Sequence, residues 1–115
     1  MKLRGLLMTS DERGYVKDIL NQLKKKGCYV KWATNYSKTN IAYLEFRIKN
    51  SIHYTLSIHY NIKSKEKRIV YCENNHLVPY LLYLDPEVIT LLKSIMCYIK
   101  SADDLYEIGK ISKED

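Results

Sequence analysis

A chain of 115 residues with 46% hydrophobic content is sized for one domain around one core, burying roughly two thirds of its unfolded surface. Its 28% charged residues and net charge of +6 describe a mixed-sign surface with a basic bias, which admits nucleic acid as a partner without demanding it. No stretch approaches the roughly 20 apolar residues of a membrane span, the opening reaches acidic residues too early for a secretory leader, and Cys28, Cys72 and Cys97 show no C-x-x-C spacing, so a cytoplasmic chain with reduced thiols is expected.

Residues 2 to 8 are apolar enough for an additional N-terminal strand. In "TSDE", Glu12 stands three residues after Thr9, a reciprocal capping pair that opens a helix. Val16, Ile19, Leu20 and Leu23 form its apolar stripe. Gly27 ends it, after Lys24, Lys25 and Lys26; this run reads as a phosphate patch or, more simply, as cations that complement the helix dipole.

From Cys28 the period changes to two. Cys28, Val30 and Trp32 are expected inward, with Tyr29, Lys31 and Ala33 outward. After the turn "SKTN", Ala42, Leu44, Phe46 and Ile48 point inward. The most regular stretch, "SIHYTLSIHYNIK" at 51 to 63, holds Ile52, Tyr54, Leu56, Ile58, Tyr60 and Ile62 on one parity and Ser51, His53, Thr55, Ser57, His59 and Asn61 on the other. A repeat of six preserves parity, so the doubling requires only an apolar and a polar face. It sets His53 and His59 about 20 Å apart on the wet side, too far to share a metal. A three-residue connection with Asn50 in the left-handed region is expected to join the second and third strands, so that His53 faces Arg47 or Lys49. "KRIVYCE" makes a fourth strand. A two-residue turn at Lys65 and Glu66 would set Ile62 against Ile69, Tyr60 against Tyr71 and His59 against Cys72.

Residues 76–84 fit a strand and a short helix equally. Asp85 then caps a helix with Pro86 at its first position, where the missing amide costs nothing. Val88, Leu92, Ile95 and Ile99 centre its apolar face, flanked by Ile89, Leu91, Met96 and Tyr98, an arc of about half the circumference that suits deep burial or a share in a subunit interface. "SADDLYEIG" reads as a short third helix ending at Gly109, and residues 110–115 as a frayed tail. The expected fold is a single α+β domain over 1–115 in two layers: an N-terminal helix, a four-stranded antiparallel meander, a long C-terminal helix and a short terminal one, with the helices on one side of the sheet.

Enzyme signatures are absent: there is no phosphate-binding glycine loop, dinucleotide fingerprint, H-E-x-x-H, G-x-S-x-G or zinc-finger spacing. The pairs Asp11–Glu12 and Asp103–Asp104 fall at helix starts, where carboxylates favour the dipole and sequence neighbours do not face each other. His53, His59 and His76 have no nucleophile or carboxylate placed beside them by local spacing. No catalytic residue, cofactor or metal is expected.

What remains is the outer sheet face. It is expected to carry Tyr29, Lys31, Tyr43, Glu45, Arg47, Lys49, His53, Thr55, Ser57 and His59, extended at one edge by Lys63, Lys65, Lys67 and Arg68. Aromatics that stack bases beside cations that track phosphates are how open sheets hold single-stranded DNA or RNA, so a small non-enzymatic nucleic-acid-binding module is expected. The alternative is a protein interface, since tyrosine supplies contact area at little entropic cost. Eleven tyrosines against one phenylalanine is a usage that accompanies AT-rich genomes, pointing to a virus or mobile element and, on the alternative, to an inhibitor or adaptor of a host complex. A homodimer is compatible with both.

Overall fold

A computed structural model describes residues 8–36, 38–49, 54–74, 76–77 and 85–114. Its elements follow from local rules first. Glu12 N donates to Thr9 Oγ1 at 3.1 Å and Thr9 N to Glu12 Oε1 at 2.9 Å, so the capping box forms and α1 (Ser10–Lys25) begins where the hydroxyl and carboxylate require. It ends at Gly27, whose φ of +79° carries the chain into the sheet while Lys49 approaches so closely that an added Cβ would lie 3.1 Å from Lys49 Cβ. Glycine meets both demands at once.

Five antiparallel strands follow in the order β1 (Cys28–Tyr36), β2 (Ile41–Ile48), β3 (Tyr54–Asn61), β4 (Lys67–Glu73) and β5 (His76–Leu77), each paired with the next. Asn40, at φ +57°, takes the left-handed position that lets β2 turn back on β1. Two helices complete the chain, α2 (Pro86–Met96) and α3 (Ala102–Ser112). Asp85 caps α2 by accepting the Glu87 amide at 2.9 Å.

All three helices pack on one side of the sheet. Leu44, Phe46, Leu56 and Ile58 are fully buried beneath them, together with Val16, Leu20, Leu23, Leu92, Ile95, Leu105 and Ile108. The corner between α2 and α3 is fixed by polar contacts to backbone groups that the helix ends leave over. Lys67 Nζ donates to Met96 O at 2.8 Å and Ile99 O at 3.1 Å, and Tyr60 Oη to Lys100 O at 2.9 Å. Buried Asp104 accepts the Lys100 and Ser101 amides on Oδ2 at 2.7 and 3.0 Å.

The α+β architecture is the one expected, with a two-residue fifth strand added at His76–Leu77. Three details differ. Val30 pairs with Phe46 but Trp32 with Glu45, so Lys31 is the extra residue of a β-bulge that reverses the parity of the rest of β1. Trp32 is therefore on the outer face at 52% exposure, and Ala33 is on the inner one. The reason lies in α3: a Cβ on Gly109 would meet Ala33 Cβ at 4.0 Å, a separation that leaves no room for an indole between helix and strand.

The second difference is the β3–β4 register, in which Ile58 faces Ile69, His59 faces Arg68 and Tyr60 faces Lys67. Asn61 sets it. Its Oδ1 accepts the amides of Lys63 at 3.0 Å and Ser64 at 2.9 Å, and its own amide reaches Glu66 O at 2.9 Å, closing a turn longer than two residues with Lys65 at φ +69°. Cys72 faces Thr55, about 13 Å along the sheet from His59. The third is the length of α3, which continues past Gly109 to Ser112 because Ile111 belongs to the core. Glu114 beyond it pairs with Arg13 of α1 at 3.1 Å. The suggested strand at 2 to 8 (save Met8), the Asn50 turn, His53, and positions 78–84 lie outside the described residues.

Candidate functional site

Strand register arranges the helix-free face into three rows. Tyr29, Arg47, Thr55 and Cys72 form the first, Trp32, Glu45, Ser57 and Val70 the second, and Thr34, Tyr43, His59 and Arg68 the third. Among these twelve residues Glu45 is the lone acid. Tyr29, Trp32 and Tyr36 lie on β1, all exposed, separated along the strand by about 7 and 13 Å.

Glu45 organises the middle row. The indole Nε1 of Trp32 donates to its Oε1 at 2.6 Å, and Lys31 Nζ lies 3.5 Å from Oε2 and 5.3 Å from the indole centroid. The carboxylate thus holds the edge of the ring while the ammonium approaches its face, leaving the indole exposed but oriented.

The third row is an aromatic ladder. Tyr36 stacks on Tyr43 with centroids 4.8 Å apart, their hydroxyls 3.2 Å apart in a hydrogen bond, and Tyr43 leans on the His59 ring at 5.7 Å. Packed between neighbours, Tyr43 is 8% exposed, and burial, followed by the Tyr36 hydrogen bond, pushes its phenol well above the usual range. His59 is half-buried. Burial first, and the Arg68 charge second, lower its imidazole below the ordinary 6.5. Beside it opens a cavity of about 370 Å³ lined by Ile41, His59, Asn61, Glu66, Lys67 and Arg68.

The structure brings together Tyr29, Lys31, Tyr43, Arg47, His59 and Arg68 on the outer face, with Lys49 exposed just past the end of β2 and Lys63 and Lys65 exposed in the β3–β4 turn. His53 lies outside the described residues. Lys67 belongs to the other side, where its ammonium caps α2. The run at 24–26 is largely structural: Lys26 pairs with Asp85 at 2.9 Å and Glu87 at 3.5 Å beside a groove of about 610 Å³ between α1 and α2, and Lys24 donates to Ser112 O at 2.8 Å. Sequence reasoning missed Trp32 and Tyr36. The signal that could have found them is the pair of small residues Ala33 and Gly109, which marks where α3 comes close to β1.

Among the described residues, no group of three or more His, Cys, Asp or Glu is placed to hold a metal ion, and no helix is long and apolar enough to cross a membrane. Comparison with protein-family models, with curated proteins and with solved structures yields no match.

Proposed function

We propose that the helix-free face of the sheet binds single-stranded nucleic acid, as a non-enzymatic module acting in the cytoplasm. The observation that carries this reading is the position of Trp32: an indole 52% exposed, held at its edge by Glu45 and standing between exposed Tyr29 and Tyr36 on one strand. Exposed aromatics on a sheet offer bases a stacking surface, each stacked base contributing about 1 to 3 kcal/mol, while Lys31, Arg47 and Arg68 within the face and Lys49, Lys63 and Lys65 around it supply phosphate contacts. Splayed bases can reach such a surface; those of a duplex cannot.

The test mixes the purified chain with labelled single- and double-stranded oligonucleotides of one sequence at two salt concentrations. Binding that favours the single strand and falls steeply with salt supports the reading. No binding to either, with the same face instead capturing a host protein or a second copy of this chain, replaces it with a protein interface.

A further inference from the structure

The ladder Tyr36–Tyr43–His59 ends at Arg68, and there the surface dips into the 370 Å³ cavity. Its lining residues are unequally free. Asn61 has its side-chain oxygen occupied by two turn amides, Lys67 donates to two carbonyls of the α2 corner, and Ile41 makes an apolar wall. Glu66 accepts the Ser64 hydroxyl on Oε1 at 3.3 Å, so His59 and Arg68 remain. Arg68 is exposed and forms no ion pair among the described residues, which leaves its planar set of donors available beside an imidazole directly across the strand pair.

We propose that this cavity is a phosphate-monoester site, which takes the terminal phosphate of the strand laid on the sheet between the Arg68 guanidinium and the His59 imidazole. The inference rests on the nucleic-acid reading for the strand that carries the phosphate. Charge selects the monoester. A terminal phosphate carries about −1.5 to −2 at neutral pH, matching a guanidinium plus an imidazolium, whereas an internal diester carries a single charge. Glu66 at the cavity repels every anion, so binding requires both cations to offset it.

The groups that face His59 are Tyr43 from β2, Arg68 from β4 and Glu66 from the turn, the Lys67 ammonium being held on the other side of the sheet. In the free chain burial and Arg68 keep the imidazole neutral near pH 7, and a bound dianion reverses that balance by drawing a proton onto it. Preference for a phosphorylated end therefore rises as pH falls from about 7.5 to about 6, the second pKa of the phosphate, and declines below it as the dianion is lost.

The experiment titrates the full chain with one single-stranded oligonucleotide in three forms: 5′-phosphorylated, 3′-phosphorylated and without terminal phosphate. At pH 6 one phosphorylated form is expected to bind about tenfold tighter than the unphosphorylated one, an advantage that Arg68→Ser abolishes and His59→Gln reduces. Equal affinity of the three forms at pH 6 overturns the monoester site while leaving strand binding by the sheet intact. If no form binds, the nucleic-acid reading fails, and inorganic phosphate judges the cavity alone by the His59 ring signals in NMR. Signals that shift in the wild type and not in Arg68→Ser support the site; signals that stay fixed overturn it.

Discussion

Trp32 Nε1 donates to Glu45 Oε1 at 2.6 Å across the β1–β2 pair, on the side of the sheet away from the helices. One bulge residue, Lys31, puts the indole there, and one carboxylate orients it. An acid at the centre of a basic face looks like evidence against an anionic ligand. The contact gives it another task, as acceptor for the residue best suited to stacking.

Glu45→Gln keeps an acceptor for the indole and removes the negative charge. Fluorescence anisotropy with a labelled single strand should show binding strengthened several-fold with a steeper salt dependence, and stability should change by less than about 1 kcal/mol, as for other partly exposed pairs. Weaker binding would mean that the carboxylate itself contacts the ligand.

Core and face separate in denaturation. Phe46→Ala, at a fully buried position, is expected to cost about 3 to 5 kcal/mol, and Trp32→Ala, at a half-exposed one, less than about 1 kcal/mol. Urea midpoints of the two variants read the difference. Equal costs would return the indole to the core.

Stability should depend on pH through His59. Its pKa is below 6.5 in the folded chain, so between the folded and unfolded values the unfolded chain binds more protons. The stabilisation is complete above about pH 6.5 and is lost as pH falls through that value toward the folded pKa. His59→Gln removes this dependence. The gap between wild-type and variant unfolding midpoints should narrow from pH 7.5 to pH 5, and a constant gap would show that the imidazole is freely solvated.

Thiol chemistry reports packing. Burial pushes the Cys28 thiol to about 12, while Cys97 is exposed at the end of α2. Since the thiolate is the reactive form, alkylation at pH 8 followed by mass spectrometry should label Cys97 rapidly and Cys28 only after denaturation.

Much of the fold was legible because it rests on short-range rules. Thr9 with Glu12 and Asp85 with Pro86 each mark a helix start within four residues. The alternation of "SIHYTLSIHYNIK" puts Leu56, Ile58 and Tyr60 in the core and Thr55 and His59 on the other side, while Tyr54 at the strand end is 37% exposed and Ser57 on the outer side is buried. What was not legible depends on partners distant in sequence. The bulge at Lys31 answers to Gly109, and the place of Lys67 to the carbonyls of Met96 and Ile99. His59 acquires Arg68 instead of Cys72 because the Asn61 side chain lengthens the turn, a choice that strand periodicity does not contain. The candidate site was half visible for the same reason: its cations and tyrosines follow parity, and its tryptophan follows the bulge.

The most direct measurement uses the single tryptophan of the chain as its own probe. Trp32 emission is recorded while unlabelled single-stranded oligonucleotide is added at low and at moderate salt. Stacking of a base on the indole is expected to quench the emission saturably, with an apparent affinity that falls as salt rises and a much smaller response to the duplex of the same sequence. Emission that stays unchanged under conditions where an independent assay detects the bound strand would contradict the account, because the nucleic acid would then lie elsewhere on the molecule.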